Sequence, residues 1–556
     1  MSRKVTVAAL IVLLLPLFVA AQTLKTPAEE NGYTRYTQHE EVAKFLKALD
    51  AASKELTVQV IGHTGPAKDF PGADLYLCVI TAEGVSTPRA LNRRKPTFLL
   101  FASQHGNEQS GKEAALALVR DLAAGELTPL LKRMNFLVIP QSNPYGNFVH
   151  RRQNEQDLDL NRDHVKLEAP ETRAIHAVFR AWMPEVTLDM HEKGDDYYRV
   201  STGCVSNINI NPGIEKFSRA KVFPAIAKFV EGQGFTWFEY LVTEAMGSQG
   251  AAGVPDRPQA GAQPREMLTR PSTTDLNDGR NSPGIYDTIS FIQECASRRD
   301  VPTLKERTAW QYAGVRGLVQ AILDNSSEAV ALVRNSRAAL LARARRTTPG
   351  DVVHLRMQYV RDPKQPELVL KSFERPARGG RGGQAAAGPP PAAAPPSEPK
   401  VVTETVKNWF PKVESRLAVE RPGGYLIPAD RRDVIDTLLA HGIEVSVVKA
   451  DTKVNVEAYQ VTEIVPSKED YVAPEKITVE RKMVKTDVRK GDFFVSVAQP
   501  AANLVPALLE PQSEYGLIRY RAYKLVPEAG STFAIVRVRK GVRLPVSPYT
   551  RAKTTS

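Results

Sequence analysis

A chain of 556 residues with 42% hydrophobic and 24% charged side chains is too long for one hydrophobic core, which stops growing near about 250 to 300 residues, and too ordinary in composition for a disordered or membrane-embedded protein. The net charge of +12 arises from 74 Lys and Arg spread among 62 Asp and Glu, which describes a basic surface and argues against a nucleic-acid partner. Cys78, Cys204 and Cys295 form no CxxC pair, so a disulfide framework and a thiolate zinc site are excluded and any metal must use His and carboxylate ligands.

In chain order, Arg3 and Lys4 precede an apolar run from Val5 to Ala20 that Pro16 interrupts, followed by the small residues of Val19-Ala20-Ala21. That pattern predicts a signal peptide over residues 1–21, cut after Ala21, because the run is short for a bilayer span of about 20 residues. The protein is expected to be exported, periplasmic or extracellular, with no stable membrane insertion after cleavage.

Residues 22–348 read as a catalytic domain. Buried strands are predicted at Thr97 to Ser103, Asn135 to Pro140, Glu185 to Met190 and Thr288 to Glu294, with helices at Glu108 to Leu122, Glu171 to Trp182 and across Thr303 to Arg345. Strands alternating with helices imply an α/β class, a mixed sheet flanked by helices. Met246 to Asn281, rich in Gly, Pro and Gln, reads as a mobile flap.

Residues 349–556 read as a smaller β-rich C-terminal domain of unknown role. Its expected strands are Val352 to Val360, Gly424 to Ile427, Glu444 to Val448, Phe493 to Ala498 and Phe533 to Val538, with one helix from Arg431 to Ala440. Within it, residues 376–400 pass from Arg-Gly repeats to Ala and Pro, a composition that cannot offset its ordering entropy and predicts flexibility. His354 and His441 have no metal-spaced partners, and Trp409-Phe410 reads as packing.

The chemistry-bearing residues lie in the first part. Gln104-His105-Gly106-Asn107-Glu108 sets a His and a Glu three apart where a strand becomes a helix, a spacing that lets both reach one cation; Glu108 also suits a helix N-terminus on its own. Asp189-Met190-His191 puts a second His at a strand end, on the rim where open α/β sheets place their sites, with Asp189 suited to receive its other ring N–H. Standing alone, His191 reads first as a satisfied core residue. Glu294 ends a late buried strand, where a carboxylate rarely stands unpaired without reason and Arg298 or Arg299 could be its partner.

These pieces stand in order with Asn143-Pro144-Tyr145-Gly146, Arg152 and Asp159-Leu160-Asn161-Arg162, and the set resembles the zinc metallocarboxypeptidase family from about Tyr33 to Ile322. The resemblance implies one Zn2+ held by His105, Glu108 and His191, the His and Glu ligand set known for carboxypeptidases. It implies that Arg152 polarises the scissile carbonyl, that Asn161 and Arg162 grip a peptide substrate's free C-terminal carboxylate, and that Glu294 activates the attacking water. Zinc-assisted release of C-terminal amino acids is the expected activity, with hydrolysis of peptidoglycan stem peptides or acyl-amino acids, or a catalytically silent binding protein, as alternatives. The chain departs from the pattern in one respect: the family's Tyr, about twenty residues before the base, has no counterpart in Ser272 to Asn281, and Tyr286 is only eight residues away. Asp278 and Arg280, in the stretch expected to shape the pocket for the terminal side chain, have opposite charges and leave specificity open.

Overall fold

The computed structural model describes residues 24–245, 266–374 and 400–550. The predicted signal peptide and nearly all of 376–400 lie outside the described residues, as does the 246–265 part of the predicted flap.

Ten strands build the first part: β1 (Leu56–His63), β2 (Asp74–Ile80), β3 (Thr97–Ala102), β4 (Asn135–Ile139), β5 (Val186–Lys193), β6 (Val200–Cys204), β7 (Trp237–Glu239), β8 (Leu241–Ala245), β9 (Met267–Pro271) and β10 (Ile289–Ala296). Eight form one sheet in the order β1-β2-β4-β3-β5-β10-β6-β7, while β8 and β9 pair as a separate ribbon. The inner run β4-β3-β5-β10 is parallel, and β1, β2 and β6 join antiparallel neighbours, so the sheet is mixed as expected. Burial on both faces explains why Thr97–Ala102 reads as a nearly unbroken apolar run, and Ile289–Ala296 is buried along its whole length although it carries Ser290, Gln293 and Glu294.

Helices Ser110–Ala124, Pro170–Trp182, Leu304–Asp324 and Ser326–Arg345 flank this sheet. Pro170 occupies the first turn of its helix, where a missing N–H costs nothing, and Met183 closes it in the left-handed conformation before Pro184. The expected helix Thr303 to Arg345 is two helices broken at Asn325. β5 and β10 each run farther than read from the sequence, because their parallel ladder continues to Lys193 and Ala296; His191 and Glu294 therefore sit inside strands.

The remaining strands are β11 (Val352–Val360), β12 (Leu368–Phe373), β13 (Val401–Val406), β14 (Lys412–Glu420), β15 (Gly424–Ile427), β16 (Ser446–Val448), β17 (Thr452–Val465), β18 (Lys476–Val488), β19 (Phe493–Ser496), β20 (Val536–Val538) and β21 (Val546–Pro548), with a helix at Arg432–Ala440. A seven-stranded sheet runs β18-β17-β20-β15-β19-β16-β21, and β11-β14 and β12-β13 are two-stranded. This β-rich part packs directly on the first: buried apolar residues from Val42 to Ile535 form one continuous cluster. His441 Nε2 donates to Val165 O at 2.8 Å, Arg519 pairs with Asp275 at 3.0 Å, and Thr269 N donates to Asn408 O at 2.8 Å. Trp409 is buried, bridged to Thr269 next to β8-β9, in keeping with its packing role.

The flap prediction fails for its described half. Leu268 to Ile285 is almost wholly buried, because Asp278, Arg280 and Asn281 bond within the loop and Asn277 caps Val165 N. All three cysteines are buried and unpaired.

Candidate metal centre and active site

The centre forms at the C-terminal ends of β3, β5 and β10. After β3 the chain passes through Ser103 at φ 60° and folds the 104–108 loop back against the Asn143 to Gly146 turn. Asn143 anchors that turn: its side-chain Oδ1 accepts Gly146 N at 2.8 Å and its Nδ2 donates to Gln104 O at 3.0 Å. Asn147 Nδ2 donates to Gly106 O at 2.7 Å. A Cβ on Gly106 would lie 2.0 Å from the Gly146 carbonyl carbon, so the two motif glycines allow backbone to pack on backbone.

This brings His105, Glu108 and His191 together, all buried. His105 Nδ1 to Glu108 Oε2, His191 Nδ1 to Glu108 Oε2 and His191 Nδ1 to His105 Nδ1 each measure 3.0 Å. The far ring nitrogens face carboxylates: His105 Nε2 lies 3.2 Å from Asp159 Oδ1, and His191 Nε2 lies 2.8 Å from Asp189 Oδ2. Those contacts place the imidazole protons on Nε2, so both Nδ1 lone pairs and the Glu108 oxygen face one point. Three acceptors so arranged repel unless a cation lies among them. Donors bound tetrahedrally to zinc at about 2.0 to 2.1 Å stand about 3.3 Å apart, so both the chemistry and the separation of this set fit the metal. Among the described residues no other such group of three converges as closely.

Electrostatics follow the same geometry. Burial disfavours the Glu108 carboxylate, but His105 and His191 outweigh it and hold the group well below the usual range. Burial likewise opposes charge on His191, yet Asp189 and Glu108 raise it well above an ordinary imidazole. Asp159, despite burial, is held low by His105, Arg152 and Arg162. Arg299 Nη2 donates to Glu108 Oε1 at 2.9 Å and to Glu192 O at 2.7 Å.

Glu294 lies opposite His191 in the parallel β5-β10 register and is 7% exposed. Burial raises its pKa, Glu108 adds to the shift, and His191 and His105 oppose it. The alternative salt bridges do not form: Arg298 binds Asp195 at 3.2 Å, and Arg299 binds Glu108. Arg152 stands at the rim, with Nε on Asp159 Oδ2 at 2.8 Å and Nη1 3.2 Å from His105 Nδ1. Asn161 is buried, its side-chain oxygen accepting Gly279 N at 2.8 Å and its amide lying 3.2 Å from His191 Nε2. Arg162 is exposed and donates to Asn161 O at 2.8 Å.

Two contributors escaped the sequence reading. Tyr240 follows β7 and lies beside Glu294; burial and that carboxylate push its phenol up, while Arg280 and Arg162 oppose. Its only local signal was the aromatic run Trp237-Phe238-Glu239-Tyr240. Gln104, next to a ligand, donates to Asp189 Oδ2 and accepts from His164 Nε2, both at 2.8 Å.

Residues 42–183 match the model of the zinc carboxypeptidase family, peptidase M14. Carboxypeptidase 2 of Trichophyton tonsurans is 25% identical over 525 residues, 91% of this chain and 88% of its own. Carboxypeptidase 2 of Trichophyton rubrum is 26% identical over 527 residues, 92% and 88%. Both matches take in the β-rich part, which the motifs alone did not reach. Among solved structures, carboxypeptidase A from Helicoverpa armigera shares 13% identity over 53% of this chain and 75% of its own, with a TM-score of 0.39. A metallo-carboxypeptidase from Burkholderia cenocepacia shares 17% over 52% and 70%, with a TM-score of 0.38.

The likeness to the zinc metallocarboxypeptidases drawn from the motifs is thus borne out by a family model and by curated relatives spanning the chain. The protein is an enzyme of the metallocarboxypeptidase class.

Proposed function

We propose that the protein removes the C-terminal residue from peptides that end in a free carboxylate, using one zinc ion held by His105, Glu108 and His191. The observation that supports this most directly is the 3.0 Å triangle of His105 Nδ1, Glu108 Oε2 and His191 Nδ1 set next to Glu294 across the β5-β10 ladder. A zinc ion in such a site polarises a carbonyl and lowers the pKa of water toward about 7.

The chain's own groups do the rest. Glu294 takes the proton from the attacking water and returns it to the leaving amine. Arg152, fixed by Asp159, stabilises charge on the carbonyl oxygen. Arg162, with its guanidinium at the surface, and Asn161 receive the substrate's terminal carboxylate, a planar target suited to Arg. Residues 1–21 serve export, supported by Arg3, Lys4 and the apolar run before Ala21. Among the described residues no helix is long and apolar enough to cross a membrane. We further assign residues 22–348 to the catalytic domain and 349–556 to the β-rich domain.

The test pairs zinc content with mass spectrometry of peptides carrying free or amidated C-termini. Stepwise shortening of the free peptides alone, abolished in Glu294→Gln with zinc still bound, is expected; equal cleavage of both sets overturns the carboxylate grip.

A further inference from the structure

Beside Glu294 lies a group of buried hydrogen-bond donors that meet no acceptor. Arg280 is 1% exposed, and its Nη2 binds Asp278 Oδ2 at 2.9 Å, but Nε and Nη1 have no partner. Arg270 spends Nε and Nη2 on Glu244 at 2.8 and 2.9 Å and leaves Nη1 unmatched. The Tyr359 hydroxyl, supplied by β11, is buried and unmatched as well. These groups are neighbours. The Arg270 guanidinium carbon lies 4.7 Å from the Tyr359 ring centroid, and Arg270 and Arg280 both act on that phenol.

Position relative to the base follows from the strands. A Cβ at Gly203 would stand 3.0 Å from Arg280 Nη1 and 3.1 Å from Ile292 Cγ2, so the glycine leaves room for the guanidinium over Ile292. Ile292 and Glu294 share one face of β10, two residues and roughly 7 Å apart. Tyr240 touches the same point through its Cβ at 3.3 Å and lies beside Glu294. Glu239, the preceding residue on β7, alternates to the other face; its Oε2 is engaged by Arg219 at 2.5 Å and its Oε1 has no partner.

We propose that Arg280, with Arg270 and Tyr359, forms a pocket that reads an acidic side chain on the substrate's last residue, making the enzyme selective for C-terminal Glu or Asp. This rests on the reading of the metal centre given above. The unmatched nitrogens of Arg280 and Arg270 can only donate and the Tyr359 hydroxyl can donate beside them, so a ligand that accepts only, as a carboxylate does, satisfies all three. An amide brings an NH2 for which the Tyr359 oxygen is the one free acceptor among the three groups, an ammonium meets two guanidinium groups, and an aliphatic chain leaves every donor unmet. The ion pairs to Asp278 and Glu244 hold both guanidinium planes in place, so the remaining N–H groups are preorganised. Tyr359 comes from the β-rich part, which on this account completes the substrate site.

The test measures kcat/KM for blocked dipeptides ending in Glu, Gln, Leu and Lys, and in parallel their Kd for zinc-loaded Glu294→Gln protein. Glu is expected to exceed Gln and Leu by at least about 100-fold. Arg280→Met should reduce that preference to within a few-fold while zinc binding persists; Tyr359→Phe and Arg270→Met, with milder effects on packing, should each cut it about 10-fold. Equal kcat/KM and equal Kd across the four, or a preference unchanged in all three variants, overturns the pocket. Loss of turnover on every peptide together with tighter binding of the Glu peptide would instead sink the proposed reaction and leave the pocket standing.

Discussion

Gln104 donates its amide to Asp189 Oδ2 at 2.8 Å, and the same oxygen faces Nε2 of His191 at 2.8 Å. The amide's orientation is set in turn by His164, whose Nε2 donates to Gln104 Oε1 at 2.8 Å and whose Nδ1 lies 3.1 Å from His176 Nε2. Burial keeps these imidazoles neutral, His164 falling to about 4 and His176 going well below its usual value. The hydrogen bonds therefore run one way, from His176 through His164 and Gln104 to Asp189, and fix the tautomer that turns the His191 Nδ1 lone pair toward Glu108.

Gln104→Met keeps the volume and removes this donor. Zinc affinity measured by calorimetry should fall about 10- to 100-fold, the usual effect of losing a ligand's supporting partner. His164→Gln, which retains an N–H for Gln104, should stay near wild type, whereas His164→Phe should match Gln104→Met. Unchanged affinity in both disruptive variants would show that Asp189 needs no such support.

Arg299 holds the third ligand by the same logic. Its Nη2 lies 2.9 Å from Glu108 Oε1, and its side chain is 36% exposed, so Arg299→Met should leave the fold nearly unchanged. Freed of that contact, Glu108 should cost zinc affinity about 10-fold, with a larger change in metal dissociation than in thermal unfolding of the metal-free protein.

Two glycines of the site, Gly106 and Gly279, give a test of its scaffold. Gly106→Ala would set a methyl 2.0 Å from the Gly146 carbonyl carbon, and Gly279→Ala would set one 2.3 Å from Asp189 Oδ2 and 2.7 Å from Gln104 Nε2. Backbone cannot yield as a side-chain tip can, so Gly106→Ala should cost more than about 3 kcal/mol in urea unfolding. Gly279→Ala should cost less stability but displace Asp189, so zinc affinity should drop while the fold survives.

What the sequence made legible was local. The apolar run of β3 and the spacing from His105 to Glu108 depend on neighbours in the chain, and the structure keeps them within a few residues. The union of His105, Glu108 and His191 was reached through motif order, since no periodicity says which strands lie side by side. Contributions set by register or by distant packing were hidden: Tyr240 reaches Glu294 because β6 separates β7 from β10, and Tyr359 meets Arg270 across 89 positions of chain. The flap reading failed for a related reason. Gly and polar residues from Ser272 to Asn281 suggested exposure, but those side chains satisfy one another's backbone in a buried turn, as Asp278 does for Arg280 and Asn281.

The loop carrying Arg152 and Asp159 meets the helix Pro170–Trp182 at a proton-dependent contact. Glu171, 1% exposed, is raised to about 8, by burial first and then by Glu155. Glu171 Oε1 and Glu155 Oε2 have no other partner, while Glu171 Oε2 accepts Asn154 Nδ2 at 3.2 Å and Glu155 Oε1 accepts Gly65 N at 3.0 Å. One proton shared between the carboxyl groups accounts for this arrangement. In the unfolded chain Glu171 ionises near its reference value of 4.5, so the folded form binds more protons between that pH and about 8. Its contribution is fully present below 4.5 and is lost as pH rises through that window. At 1.36 kcal/mol per unit the loss is on the order of a few kcal/mol by pH 8. Glu171→Gln retains a donor for Glu155 without an ionising group, so urea unfolding between pH 5 and pH 8 should show a clearly shallower decline than wild type. Parallel declines in the two proteins would mean that the pair holds no shared proton.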